Sequence, residues 1–213
     1  MAWLISQWVC VKFSDTLRPT LYRLLLDMIK PDQDLVVRLE SALTLKMAID
    51  DYNYDPNQLV EFQHEACTNL FNLLVNCEGM GSLDDSENLV TLKYCGVLVN
   101  GPWIPDKECD TKMRVLYIYS LILKRQRGLM KISISQLTEY LPALWEHAEE
   151  HHLLRGAIVC LLLELTLSIT SESSSLYDLL IPIINTSCNP HSVFYLYLAD
   201  DGLDLWVPVF TIT

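Results

Sequence analysis

The stretch from Asp34 to Asp50, DLVVRLESALTLKMAID, constrains the fold of this chain more than any other segment. Apolar residues recur in it at steps of three and four, as on one face of an α-helix: Val36, Leu39, Leu43 and Met47. A second apolar stripe lies beside the first and consists of Val37, Leu45 and Ala48. A helix that is apolar over more than half of its circumference needs neighbours on two sides. The pattern therefore favours a helix inside a stacked array of helices.

The start of this helix carries an apolar residue followed by arginine, Val37-Arg38, and this pattern recurs later in the chain. Asp34 is placed to cap the helix, and Arg38 lies four residues further on, where the two can pair along one face. Met113-Arg114 and Leu154-Arg155 repeat the apolar residue followed by arginine. The separations are 76 residues from Arg38 to Arg114 and 41 from Arg114 to Arg155. Since HEAT repeats run to about 40–47 residues, this pattern resembles the second helix of a HEAT repeat, with an insertion in the longer interval.

Periodicity predicts antiparallel helix pairs along most of the chain. We expect helices near 1–13, 17–30, 34–49, 57–75, from 110, 134–146, from 153, 176–184 and 193–210. Residues 76–107 break the pattern with glycines and prolines, and 88–99 are weakly strand-like. The predicted organisation is HEAT repeats over 1–75 (the end of one repeat, one full repeat and the first helix of the next), an irregular insertion over 76–107, and further repeats over 108–213.

Composition narrows the classes of function. The net charge is −12 and half of the residues (51%) are hydrophobic, so a sizeable core and an acidic surface are expected, the latter favouring basic partners over nucleic acid. The seven cysteines contain no C-x-x-C pair, which indicates a reducing compartment without a zinc site. The apolar run Leu153–Ile169 contains Arg155 and Glu164, so we interpret it as a buried helix, and we find no targeting segment.

Several stretches together resemble the importin-β (karyopherin-β) family of nuclear transport receptors. They are LRPTLY, QDLVVRLESALTLK, IDDYNYDPNQ, ECDTKM, YLPALW, EEHHLLR and ADDGLDLW. The resemblance departs at 76–107 and at Val207–Thr213. It implies an all-α, armadillo-like HEAT solenoid of antiparallel helix pairs, right-handed and about four repeats long, forming an internal part of a larger receptor.

The resemblance also implies a function and partners. Such receptors carry protein cargo through the nuclear pore, contact phenylalanine-glycine nucleoporins, and release cargo when the small GTPase Ran binds with GTP. The expected partners are these three, without nucleic acid, membrane insertion, cofactor or enzymatic activity. The expected location is the nucleus, the cytoplasm and the pore between them.

Two sets of candidate residues follow. The first comprises structural ladder residues, which in that family link successive repeats: Asp34, Arg38, Arg114 and Arg155. We predict that Arg38→Ala lowers the melting temperature more than it changes partner choice. The second comprises acids that can receive a basic cargo signal, or that are only solvated loop residues: Asp50, Asp51, Asp55, Glu149 and Glu150.

Two other functions stay open at the level of sequence. A HEAT scaffold for a protein complex unrelated to transport fits the same repeats. His147–His151 reads HAEEH, which fits the H-x-x-E-H zinc motif with Glu150 as general base, and His191 is available as a third ligand. The motif falls where the repeat requires a turn, so a polar turn is the favoured interpretation.

Overall fold

In the computed structural model, most of the described residues form α-helices. It describes residues 4–5, 9, 14–51, 54–76, 107–125, 134–148, 151–169 and 176–211. Within these ranges there are eight α-helices of more than one turn and no strand. In chain order they are α1 Arg18–Ile29, α2 Leu35–Ile49, α3 Gln63–Val75, α4 Lys107–Arg125, α5 Ile134–His147, α6 His152–Ile169, α7 Tyr177–Cys188 and α8 Tyr195–Thr211.

The helix predicted over 57–75 begins later than expected. The chain first forms two 3₁₀ turns, Pro56–Gln58 and Val60–Phe62, and becomes α-helical only at Gln63. Asp55 accounts for the first turn, because its Oδ1 accepts hydrogen bonds from the backbone N–H and the side-chain amide of Asn57, at 3.0 and 2.9 Å. Local capping of this kind competes with regular helix formation. The predicted strand-like stretch 88–99 and most of the predicted helix 1–13 lie outside the described residues.

The chain divides into two compact units, residues 1–115 and 116–213, with α4 crossing the boundary. In the first unit α1 packs against both α2 and α3. Its apolar side is fully buried and consists of Leu21, Tyr22, Leu25, Leu26 and Ile29. Burial of each such side chain contributes roughly 1.5–3 kcal/mol relative to an exposed position, so α1 is the centre of this core.

Helix α2 buries a different face from the one that periodicity ranked first. Val36, Leu39, Leu43 and Met47 are only half-buried. The fully buried side instead combines small residues with the second stripe, at Ser41, Ala42, Leu45, Ala48 and Ile49. Small side chains let two helix axes approach closely, so α1 docks there. The helix is therefore covered on two sides, as expected, but one side is fully buried and the other only half-buried.

Helix α6 is the centre of the second unit. It packs against α5 and α8, and α8 also packs against α7. By length and composition alone α6 is apolar enough to cross a membrane, with 56% of that window buried inside the protein. The core helix of a helical array meets the same criterion, because its apolar side chains face neighbouring helices.

The turn between α5 and α6 and the end of α8 each bear on an expectation from the sequence. His147 ends α5 and His152 begins α6, so the two histidines of the HAEEH motif do not share one helix as the zinc motif requires. At the other end of the unit, α8 continues through Pro208 to Thr211. This agrees with the helix expected over 193–210, since the departure expected at Val207–Thr213 concerned the resemblance and not the helix.

Candidate functional site: side chains that join the helix ends

Arg38 joins the start of α2 to the end of α1. It is the fourth residue of α2 and is buried, and its Nε donates to the backbone carbonyl of Ile29 at 3.0 Å. Ile29 is the last residue of α1, where carbonyl groups have no partner within the helix. Asp34 caps the start of α2, since its Oδ1 accepts a hydrogen bond from the backbone N–H of Val36 at 2.9 Å. One turn therefore satisfies donors of one helix and acceptors of the other.

Arg155 occupies the corresponding position in the second unit. It is the fourth residue of α6, and its Nη2 donates to the carbonyl of Trp145, near the end of α5, at 3.4 Å. Its guanidinium lies 4.4 Å from the ring centroid of Trp145 and 4.4 Å from that of Phe194. Because Phe194 directly precedes α8, Arg155 contacts both its own helix pair and the next one.

Arg114 differs from the other two arginines. It is the eighth residue of α4, it is about one-third exposed, and its Nε contacts Asp110 Oδ2 at 2.9 Å, one turn earlier on the same helix. The three arginines thus recur regularly in the sequence once the insertion is allowed for, but their environments in the structure differ. The role of Asp34, Arg38, Arg114 and Arg155 as a ladder between repeats stays a prediction.

Arg18 is the residue that sequence reasoning missed. Its side chain is 1% exposed and closes the other end of the α1–α2 pair. It donates to the carbonyl of Ala48 at 3.3 Å, to Asp15 at 3.1 Å, and to the carboxylate of Asp51. Burial acts to lower the pKa of Arg18, but hydrogen bonds to Asp51 and Asp15 outweigh it and hold the pKa above its ordinary value. No local pattern identifies Arg18, because Asp51 lies 33 positions away.

Asn69 adds a third connection to the end of α1. From α3 its side-chain amide donates to the carbonyl of Leu26 at 3.2 Å in a buried position. Leu26 belongs to the last turn of α1, where carbonyls need partners from elsewhere. The end of α1 is therefore held by α2 through Arg38 and by α3 through Asn69.

The candidate cargo-binding acids have three kinds of environment. Asp51 pairs with Arg18, and Asp55 caps the 3₁₀ turn at Asn57. Asp50 is exposed and follows the last residue of α2. Glu149 and Glu150 lie outside the described residues. Asp51 and Asp55 therefore have evident structural roles, and Asp50 lies at an exposed position.

A glycine lies at each of the two contacts that α8 makes, Gly156 where α6 meets α8 and Gly202 where α8 meets α7. A Cβ on Gly202 would lie 2.7 Å from Ser187 Cβ and 3.0 Å from Cys188 Sγ, closer than real side chains allow. A Cβ on Gly156 would meet Asp201 Oδ2 at 3.5 Å and Leu198 Cδ2 at 3.8 Å, which are ordinary contacts. Only at Gly202 does the absence of a side chain permit the observed approach.

An acidic group lies where α8 crosses α6. Burial, followed by the nearby Asp204 and Asp200, raises the pKa of Asp201. Burial and the carboxylates of Asp201, Glu164 and Asp204 raise the pKa of Cys160 to about 11. A thiol with so high a pKa is protonated at neutral pH and is a poor nucleophile. Among the described residues no group of three or more His, Cys, Asp or Glu side chains is arranged to hold a metal ion.

Comparison with known proteins identifies relatives along almost the whole chain. Importin-11 of Homo sapiens and of Mus musculus are each 36% identical to it over 205 residues, which is 96% of this chain and 18% of each relative. Importin beta-like protein KAP120 of Saccharomyces cerevisiae is 26% identical over 97% of the chain. The chain thus spans about a fifth of the length of these relatives.

A family model and a solved structure agree with these relatives. The model described as "Importin-11-like, TPR repeats" matches residues 156–212, which include most of the C-terminal stretch expected to depart from the family. The structure of Lph2, a bidirectional nuclear transport receptor in S. cerevisiae, covers 98% of this chain and 18% of its own, with a TM-score of 0.74 and 24% identity. The all-α, HEAT-repeat fold class is confirmed, and along almost its whole length the chain is similar to members of the importin-β family.

Proposed function

We propose that this chain forms part of a nuclear import receptor. The receptor binds protein cargo in the cytoplasm, carries it through the nuclear pore by contacts with phenylalanine-glycine nucleoporins, and releases it in the nucleus when Ran-GTP binds. The role is stoichiometric rather than enzymatic. The protein would move between nucleus and cytoplasm and be found at the pore.

One observation carries this proposal: the 36% identity to Importin-11 over 96% of the chain. The fold likeness to a protein described as a nuclear transport receptor supports it. The physical character of the chain is also suitable. Each helix pair contacts mainly its neighbours, so small changes between successive pairs add up along a stack and can alter a cargo-binding surface.

The acidic residues supply a candidate for cargo contact. With a net charge of −12, the chain attracts basic segments of partner proteins. We propose Asp50, together with Glu149 and Glu150, as the acids that contact cargo. Asp51 and Asp55 belong to the same expected set, and their carboxylates also bind Arg18 and the turn at Asn57.

Release by Ran-GTP is the direct test. The natural protein, carrying an affinity tag on this chain, is captured from its own cells with bound partners. Equal samples are then treated with GTP-locked Ran or with Ran-GDP, and the released proteins are quantified by mass spectrometry. We expect Ran-GTP to release a set of partners at least fivefold more efficiently than Ran-GDP. Equal release by the two forms would contradict the proposal and favour the scaffold.

The cargo-contact residues have a matched control. Changing Asp50, Glu149 and Glu150 to Lys should lower the recovery of the Ran-sensitive partners. Asp32→Lys makes the same type of charge change at an exposed turn before α2. If Asp32→Lys reduces recovery as much as the triple variant does, net charge rather than these positions governs binding.

A further inference from the structure

Asp50 lies between two points at which one buried side chain binds the backbone and its neighbour. It follows the last residue of α2, at an exposed position. Two residues before it, the carbonyl of Ala48 accepts a hydrogen bond from Nη1 of Arg18 at 3.3 Å. One residue after it, the carboxylate of Asp51 accepts from Nη2 of the same guanidinium. The chain is therefore fixed on both sides of Asp50 by the first residue of α1.

The guanidinium that makes these contacts is itself held in place. Arg18 is 1% exposed, and its Nε donates to Asp15 Oδ1 at 3.1 Å. Since a guanidinium is planar and presents its donors in a fixed fork, contacts on all three of its nitrogens set its orientation. The backbone N–H of Asp50 donates in turn to the carbonyl of Lys46 at 2.9 Å. The backbone at Asp50 is therefore ordered by folding of the α1–α2 pair.

A carboxylate that is ordered before a partner arrives binds more tightly than one on a mobile segment. Fixing the backbone of a residue costs conformational entropy. A site that is ordered on folding avoids this cost at the moment of association. Asp50 meets this condition because Arg18 contacts the residues on either side of it.

We propose that Arg18 is the positioning residue for cargo binding at Asp50. By binding the chain before and after this aspartate, Arg18 fixes its carboxylate where a lysine or arginine of the cargo meets it. Arg18 does not itself touch the cargo, because its side chain is buried. This inference rests on the proposed function, in which Asp50 contacts a basic segment of the cargo. It adds that a buried contact, and not acidity alone, governs the strength of that binding.

A paired substitution tests the proposal without leaving a buried charge unpaired. Arg18→Met together with Asp51→Leu leaves the net charge of the chain unchanged, and such a replacement of a buried ion pair is often neutral or stabilising. The natural protein, tagged on this chain, is captured from its own cells, and its Ran-sensitive partners are quantified by mass spectrometry. We expect their recovery to fall at least about threefold. Lys30→Met with Asp27→Leu removes an exposed charge pair at the other end of α1 and should leave recovery unchanged.

A double-mutant cycle distinguishes positioning from a second, independent contact. Asp50→Asn alone should lower recovery, and its addition to the paired substitution should lower recovery no further, because both changes remove the same contact. Losses that multiply would show that Arg18 and Asp51 act independently of Asp50, and would overturn the proposal. Undiminished recovery with the paired substitution would overturn it as well.

Hydrogen exchange establishes whether the paired variant keeps the α1–α2 pair folded. If it does not, Arg18→Lys takes its place, since an ammonium group keeps the charge but lacks the fork that binds two acceptors at once. The same fall in recovery and the same lack of additivity with Asp50→Asn are expected. If Asp50→Asn alone leaves recovery unchanged, Asp50 is not a cargo contact and this inference is wrong. Release by Ran-GTP still decides separately whether the protein is an import receptor.

Discussion

The α1–α2 pair and the α7–α8 contact join helices by opposite means. In the first, long polar side chains reach across the pair, with Arg38 on the carbonyl of Ile29 and Arg18 on that of Ala48. In the second, the closest approach needs no side chain at all, because Gly202 lies against Ser187 and Cys188. In the same unit the guanidinium of Arg155 lies over the rings of Trp145 and Phe194.

The two contacts should therefore be destabilised by different kinds of substitution. A buried guanidinium is costly to desolvate and stabilises the fold only while its acceptors are in place. A glycine contact has no such requirement but tolerates no added volume. The first region should therefore be sensitive to lost hydrogen bonds and the second to added atoms.

The largest effect should come from Arg18→Met. This change keeps most of the apolar length of the side chain but leaves Asp51 and the Ala48 carbonyl without their cationic donor. Loss of one member of a buried pair costs about 3 kcal/mol. Urea unfolding monitored by circular dichroism measures the change in free energy, and hydrogen exchange of the α1 and α2 amides locates it. Arg114→Met, at a partly exposed pair, should cost less than about 0.5 kcal/mol. Equal effects would show that Arg18 is no more important than a surface residue.

Gly202→Ala should give the next largest effect. The added methyl group would lie within 3.0 Å of two atoms of α7, and overpacking of this kind costs about 1–3 kcal/mol. Gly156→Ala is the matched control, since both sites are helical and gain the same propensity of about 1 kcal/mol. It meets only ordinary contacts and should be neutral or stabilising. If both variants have the same melting temperature, α7 and α8 do not approach as closely as described.

Arg155→Lys should have a smaller effect. The substitution preserves the positive charge but removes the planar group that lies over Trp145 and Phe194, at a cost of about 1 kcal/mol. Arg114→Lys retains a simple ion pair and should change the free energy of unfolding by less than about 0.5 kcal/mol. A larger loss of unfolding free energy for Arg114→Lys than for Arg155→Lys would argue that the contact of Arg155 with the two rings contributes nothing to stability.

Asp201→Asn should give the smallest effect and the only one that depends on pH. Burial and the nearby Asp204 and Asp200 raise the pKa of Asp201, so its ionised form is disfavoured in the folded state. Among the described residues, the groups that interact with its charge are acidic or neutral: Tyr117 from α4, Cys160 from α6, and Asp200 and Asp204 from α8. The asparagine variant should melt about 1–2 °C higher at pH 7, and the gain should vanish below the ordinary aspartate pKa, where both side chains are neutral. Asp32→Asn is the exposed control, and a gain that persists at low pH would contradict this account.

Periodicity predicted the helices well, because a repeating apolar face is a local property. The bounds of α1, α2 and α5 fall within about two residues of expectation, and the fourth positions of α2 and α6 carry arginines that reach the preceding helix. The stripe of α2 that contains Val36 and Leu39 is only half-buried, whereas the small residues Ser41 and Ala42 are buried. Close packing instead selected the small residues.

The contacts of Arg18 and Asn69 could not be predicted in the same way. Their partners are backbone carbonyls and a carboxylate that lie 30 to 43 positions away. Such contacts leave no spacing signal, because a carbonyl group is present at every residue. The environment of Arg114 was missed for a related reason: the motif repeats in sequence, while burial depends on where the helix begins.

The protonated thiol of Cys160 makes the second unit suitable for chemical labelling. With a pKa of about 11, only on the order of one molecule in 10,000 carries the reactive thiolate at pH 7. Once α8 separates from α6, the neighbouring aspartates and the burial no longer act, and the ordinary thiol pKa of about 8.5 gives a fraction several hundred times larger. The rate at which iodoacetamide modifies Cys160 would then report how often these helices separate, without any added dye or engineered residue.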